Sequence, residues 1–280
     1  MPLSNEDLQT RLAKQQWTSH NVRLSDEVTT MPGQPDFVQT DMRLHAIYRV
    51  LRLLYRDKLS GLRIADLGCL EGGFAMALSH KGATVLGIEA RATNLEKVAL
   101  LKEHFELSGM ELLCADVKDF TVERFGTFDV VLALGILYHV DQPVQWLRQV
   151  AGATRGALIL DSHFAPADEA SFGQIENRFA TTLGELEKME VGGWSCEGRW
   201  FSEYNEKEDR EEQLWASYSN RKSFWLTKES LLLALVRSGF DLVFEQHDYS
   251  AHFYNYFTTT YPRGMFVAVK SAGLLNNSRL

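Results

Sequence analysis

The sequence predicts an α/β protein built on a seven-stranded, mostly parallel sheet, and three observations predict it. Short apolar runs alternate with helical patterns from residue 62 to about 164, as in strands joined by crossover helices. Three successive runs of that series end in an acid, at Asp66, Glu89 and Asp116. Two further apolar runs, Phe240–Gln246 and Met265–Lys270, return after a long polar interval and supply the last two strands.

The elements follow in order. Leu62–Leu67 reads as the first strand and Gly73–His80 as its helix, closed by Gly82. Thr84–Glu89 is the second strand, followed by a helix from Asn94 to Leu107 with Leu95, Val98, Leu101 and Phe105 on one apolar face. Met110–Ala115 is the third strand. Phe128–Leu134 is apolar almost throughout, which suits a central strand covered on both faces. A helix over Pro143–Ala153 carries proline in its first turn, and Ala157–Asp161 is the fifth strand. Residues 165–225 break the alternation. They combine Glu176, Glu185, Glu187, Glu190, Glu203, Glu206, Glu208, Glu211 and Glu212 with Trp194, Trp200, Trp215 and Trp225. Structureless loops of such length are rare in compact domains, so an inserted lid is expected. The alternation resumes with a helix from Thr227, as N-cap, to Ser238, stopped by Gly239.

With 280 residues, 45% of them hydrophobic and 24% charged, the chain has the composition of a globular protein. A formal charge of −8 removes the general attraction to phosphate backbones, which disfavours nucleic acid as a partner. The three cysteines, Cys69, Cys114 and Cys196, form no C-x-x-C pair and fit a reducing, cytoplasmic setting. No apolar signal core opens the chain and no uncharged run is long enough for a bilayer, so no membrane association is expected. Asn276-Asn277-Ser278 matches a glycosylation acceptor, which carries no meaning without a secretory route. Oligomeric state leaves no mark on the sequence.

The turn after the first strand carries the most chemistry. Residues 64–75 run from an apolar strand through Asp66, Gly68, Cys69, Leu70, Gly72 and Gly73 into an apolar helix. In a dinucleotide-binding G-x-G-x-x-G turn the second glycine lets backbone approach a pyrophosphate. Here that position is Leu70, which argues against an NAD-dependent oxidoreductase. The remaining D-x-G-x-x-x-G pattern suits a cofactor with an adenosine and a zwitterionic amino-acid tail, whose carboxylate can use the helix N-terminus. This stretch resembles the first motif of the class I S-adenosylmethionine (SAM) dependent methyltransferases.

The resemblance implies a Rossmann-like fold with helices on both faces, an antiparallel close to the sheet, and SAM as cofactor with S-adenosylhomocysteine (SAH) as product. Glu89, with Ala90 beside it, is placed to accept from both ribose hydroxyls. Asp116 would accept from the adenine amine and the Val117 amide would donate to a ring nitrogen. Leu134 and Gly135 would flank the methionine portion. His139, in the run from Leu134 to Val140, is the candidate base for an acceptor hydroxyl or amine; the alternative is a histidine that packs its loop.

Trp17-Thr18-Ser19-His20-Asn21-Val22-Arg23-Leu24, followed by Thr30 and Met31-Pro32-Gly33, resembles the segment preceding the core in the subgroup containing the tRNA wobble-uridine carboxymethyltransferase. Gly135 to Pro143 resembles that subgroup's fourth-strand motif. The implied organisation is a cap segment over 1–60, a SAM-binding core over 61–164, a lid or substrate insertion over 165–225 and the rest of the core over 226–280. Trp17, His20, Tyr138, His163, Trp225 and His247 are the candidate substrate residues. Tyr249, His252, Phe253, Tyr254 and Tyr256 are further aromatic candidates, or parts of a small core. Asp141, Asp161 and His163 have no recognised metal-ligand spacing, so no metal is expected. The leading expectation is a SAM-dependent methyltransferase acting on an oxygen or nitrogen of a metabolite, sugar or natural-product intermediate. A tRNA-modifying carboxymethyltransferase using carboxylated SAM, an NAD-dependent oxidoreductase, and a non-catalytic SAM-binding partner protein are the alternatives.

Overall fold

The computed structural model describes residues 2–56, 58–175, 181–204, 214–247 and 262–277. Glu176, Glu206, Glu208, Glu211, Glu212, Tyr249, His252, Phe253, Tyr254, Tyr256 and Ser278 lie outside the described residues. The chain divides into two units, Met1–Val117 and Lys118–Leu280.

In the first unit, α1 (Asn5–Leu12) and α2 (Met42–Tyr55) precede the sheet. Each starts on a side-chain cap: Ser4 accepts from the Asp7 amide and Asp41 from the Arg43 amide. β1 (Arg63–Leu67) pairs in parallel with β2 (Thr84–Glu89), and β2 with β3 (Met110–Cys114). α3 (Gly73–His80) and α4 (Ala92–His104) provide the crossovers. α4 stops short of the expected Leu107. Its end is a Schellman turn, in which Glu106 at φ +52° lets its own amide reach Glu103 O and the Leu107 amide reach Lys102 O. The usual glycine is absent there, so the sequence carried no stop signal.

In the second unit, α5 (Val122–Phe125) leads to β4 (Phe128–Leu134), α6 (Pro143–Ala153) and β5 (Thr154–His163). Val130 to Ala133 of β4 are fully buried, as expected for a strand covered on both faces. β5 is longer than its apolar run. β10 (Arg263–Val269) pairs antiparallel with it and places Arg263, Gly264 and Met265 opposite His163, Ser162 and Asp161. Ser162 and His163, expected beyond the strand, therefore belong to it, and with Asp161 they are buried. The antiparallel pair of β10 with β9 (Leu242–Gln246) completes a seven-stranded sheet of order β3-β2-β1-β4-β5-β10-β9.

The polar interval forms a sheet of its own. After α7 (Glu169–Phe172), β6 (Leu183–Val191), β7 (Trp194–Ser202) and β8 (Lys222–Leu226) pair antiparallel in that order. Gly192 and Gly193, both at positive φ, make the tight turn between β6 and β7. Ala165, Ile175, Leu183 and Trp225 form a small core packed by Tyr138, Phe172 and Phe201. Thr227 then caps the helix Lys228–Arg237 by accepting from the Ser230 amide.

Candidate functional site

The loop from β1 to α3 alternates into the left-handed region at Gly68 (φ +65°), Leu70 (φ +51°) and Gly72 (φ +73°). A leucine in that region costs roughly 1–2 kcal/mol. The hydrogen bond from the Leu70 amide to Glu89 Oε2, 3.1 Å, works against that cost. Gly72 admits no side chain, because a Cβ there would collide with Val98 of α4. Cys69 is buried, and a Cβ on Gly87 of β2 would sit 3.1 Å from its Sγ, so Cys69 packs the loop on the sheet and its thiol is pushed up by burial.

The three acids lie where the alternation put them. Asp66 is buried in β1; burial raises its pKa to about 7, the Ala75 amide draws it down, and Glu89 adds repulsion. Glu89, also raised by burial, accepts from the Arg91 amide at 2.9 Å as well as from Leu70. Ala90 offers its carbonyl to Cys114 Sγ at 3.4 Å. Asp116 follows β3, half-buried, and Val117 opens a short 3-10 turn.

Glu71, in the middle of the loop, escaped the sequence reading. Its carboxylate is fully buried and accepts from the amides of Thr18 (2.7 Å), Ser19 (3.0 Å) and His20 (2.8 Å), from Thr18 Oγ1 (3.1 Å) and from Lys97 Nζ (2.8 Å). Burial opposes its ionisation, yet the Lys97 hydrogen bond and the amides of His20 and Ser19 outweigh it and hold the carboxyl below its usual range. The N-terminal segment is thereby latched to the glycine loop. His20 closes the latch, its Nδ1 accepting from the Gly73 amide at 3.0 Å. Burial, resisted by Glu71, drops the His20 pKa to about 4 and keeps the ring a neutral acceptor.

His20 was expected among the substrate residues; its ring nitrogen instead caps α3, whose N-cap residue, Gly72, has no side chain to do so. Two amides of the first turn of α3 are thus occupied, Gly73 by His20 and Ala75 by Asp66, which narrows the helix-terminus site expected for a ligand carboxylate. Trp17 is buried beside this latch, with Lys97 Nζ 5.9 Å from its ring centre.

In the second unit, Leu134 and Gly135 end β4, and the Gly135 amide donates to Asp161 O at 2.8 Å. Gly135 sits at φ +78°, and a Cβ there would meet Tyr138 Oη at 3.4 Å and Arg263 Nη2 at 3.5 Å. Arg263 grips Asp161 through two hydrogen bonds of 2.8 Å, and Lys118 lies 3.1 Å from Asp141. The two aspartates weighed as metal ligands are therefore engaged by cations.

His139 Nδ1 lies 2.9 and 3.0 Å from the two oxygens of Glu203, a residue just past β7 that sequence reasoning passed over. His163 stacks on Trp225 (4.9 Å, 10°), and Trp225 stacks on Phe201 (4.7 Å, 18°). With Trp225 2% and His163 7% exposed, both serve the packing of this aromatic row. Tyr138 is half-buried and contacts the rings of His139 and His163. His247 follows β9, half-exposed and 3.5 Å from Glu245.

The sheet order and the acid-bearing glycine loop are those of a Rossmann-like class I methyltransferase fold. Residues 65–157 match the methyltransferase domain family. Among curated relatives, the ubiquinone biosynthesis O-methyltransferase of Vibrio parahaemolyticus is 33% identical over 118 residues, 40% of this chain and 48% of that protein. The tRNA U34 carboxymethyltransferase of Sulfurimonas denitrificans is 26% identical over 213 residues, 70% of this chain and 65% of that protein. The chain thus spans about half to two thirds of these relatives' lengths.

Among solved structures, the N-terminal domain of EvdMO1, crystallised in the presence of SAH and D-fucose, superposes with a TM-score of 0.69 at 22% identity over 96% of this chain and 97% of that one. Magnesium protoporphyrin IX methyltransferase from Synechocystis, with bound SAM, gives 0.51 at 17% identity over 86% of each chain. No helix among the described residues is long and apolar enough to cross a membrane.

Proposed function

We propose that the protein is a SAM-dependent methyltransferase acting on an oxygen or nitrogen of a small-molecule acceptor, and that a sugar-type hydroxyl is the acceptor of choice. The observation that carries the cofactor is the acidic series at or just past consecutive strand ends, Asp66, Glu89 and Asp116, together with a glycine loop in which Leu70 takes the position of a dinucleotide turn's second glycine. The chemistry of these groups fits SAM. Asp66 suits a cationic tail, Glu89 a ribose diol, and Asp116 with the Val117 amide an adenine edge. Bound SAM supplies an electrophilic methyl on a sulfonium leaving group. The chain supplies orientation, exclusion of water and a place for the acceptor proton, for which His139 is the candidate.

EvdMO1, a neighbour over nearly the whole chain, was crystallised in the presence of D-fucose, which supports the sugar reading. The alignment with a tRNA carboxymethyltransferase over 70% of this chain supports a second reading, a modified wobble uridine. Against it stand the charge of −8 and the engagement of Lys97, the buried lysine at the glycine loop, by Glu71.

The test is calorimetric titration with SAM, SAH, carboxylated SAM and NAD, followed by incubation with SAM and panels of deoxysugars, phenols and tRNA, read by mass spectrometry. SAM and SAH should bind, and Asp66→Ala should weaken SAM at least tenfold, a loss of about 1.4 kcal/mol. Binding of NAD alone, or SAM affinity unmoved in Asp66→Ala, would overturn the cofactor assignment. Transfer to tRNA alone would overturn the acceptor.

A further inference from the structure

We infer that Glu203 is a positioning residue that fixes the tautomer and direction of His139, so that Nε2 is the base and the second sheet is part of the catalytic apparatus. This rests on His139 being the base of the proposed methyl transfer. Glu203 lies 64 residues from His139, and its carboxylate is 1% exposed while the imidazole is 17% exposed. Among the described residues, three groups surround that carboxylate. Ser223 Oγ donates to Oε1 at 2.5 Å, the Ser217 amide donates to Oε2 at 3.0 Å, and His139 Nδ1 faces both oxygens at 2.9 and 3.0 Å.

An ionised carboxylate only accepts, so His139 Nδ1 must carry a hydrogen. In the neutral ring the lone pair then resides on Nε2, the atom free to take a proton. The backbone of the histidine is pinned as well. Asn220 Nδ2 donates to His139 O at 3.1 Å and to Lys222 O at 2.7 Å, and the Phe224 amide donates to Val140 O at 3.0 Å. Glu203, just past β7, with Asn220 and Phe224 at β8, thus holds ring and backbone. The proton of an acceptor hydroxyl passes to Nε2 as its oxygen forms the bond to the methyl carbon, and the carbon–sulfur bond pair leaves with the sulfur. The ring becomes an imidazolium facing a buried carboxylate, a charge separation that Glu203 is built to stabilise.

The experiment pairs variants with a measurement on the unmodified protein. With an acceptor in hand, Glu203→Gln should lower kcat ten- to a hundredfold with KM for SAM little changed, Glu203→Asp should recover part of the loss, and His139→Ala should lower kcat further. Unchanged kcat in Glu203→Gln beside a crippled His139→Ala would overturn the positioning role and leave the base standing. Unchanged kcat in His139→Ala would overturn both. Should Glu203→Gln fail to fold, nitrogen-15 NMR of His139 in the unmodified protein at alkaline pH decides. A protonated Nδ1 is expected, and a ring protonated on Nε2 overturns the inference.

Discussion

Each unit of this molecule buries a glutamate that clamps a distant stretch of chain, and the two clamps are built for different ends. Glu71 is satisfied by backbone amides, a threonine hydroxyl and Lys97, itself buried. Glu203 is satisfied by a serine hydroxyl, one amide and the partly exposed imidazole of His139. The first arrangement spends its hydrogen bonds on holding the segment Thr18–His20 against the glycine loop. The second leaves one ring nitrogen with a lone pair. The identity and exposure of the cationic partner, more than the burial of the acid, separate a latch from an activating pair.

The largest effect expected of the latch is on stability. Glu71→Ala strands Lys97 in the interior and releases three amides, which should cost about 3–5 kcal/mol, the range for breaking a buried ion pair. Denaturant unfolding would measure it. The contrast with Glu203→Gln sharpens the comparison, since that variant should lose turnover far more than stability. Equal losses of stability in both would erase the distinction.

Gly72→Ala is expected to be milder but still clear. It places a Cβ on Val98 and forces a side chain to φ +73°, for a cost of about 1–3 kcal/mol and weakened SAM binding. A thermal melt with and without SAM reads both, and a variant as stable as the parent would show that the loop has slack at this point.

The smallest effect is in pH. Burial holds Asp66 largely protonated below its pKa of about 7, whereas a cationic ligand group favours the ionised form. Binding then releases a proton, so SAM affinity should rise from about pH 6 toward pH 8, by at most roughly tenfold per unit below pH 7. Calorimetry in buffers of different ionisation enthalpy would detect that proton, and a flat profile would remove Asp66 from contact with the cofactor's charge. The pKa of His20 is shifted the other way, yet its effect also grows with pH. Its folded pKa of about 4 lies below the ordinary 6.5, so the stability it contributes is complete above pH 6.5 and is lost as pH falls toward 4. Acid should therefore loosen the latch.

The strands around the glycine loop were legible because their signals are local. Thr84–Glu89, Phe128–Leu134 and the helices Gly73–His80 and Pro143–Ala153 match their expected bounds, each marked by hydrophobic period, glycine or proline. β5 grew past its apolar run only because β10 came to lie beside it, and a partner strand leaves no trace in the strand it extends. His163 and Trp225, conspicuous as polar aromatics, were drawn toward the substrate by their chemistry; in the structure a stack with Phe201 accounts for both.

The sequence by itself determined the fold class, the acidic strand ends and the glycine turn between β1 and α3, because each depends on residues within one or two elements. Only the tertiary structure decided what Glu71, Glu203 and Asp161 do. The partners that define those roles lie at least 51, 64 and 102 positions away, at Thr18–His20, His139 and Arg263, although Lys97 stands 26 from Glu71, and Ser217 and Ser223 stand 14 and 20 from Glu203. A charged residue at such a separation repeats no period and shares no turn with its mate. The pairing exists only where the folded backbone excludes water from both, which makes an unpaired charge costly and a paired one specific.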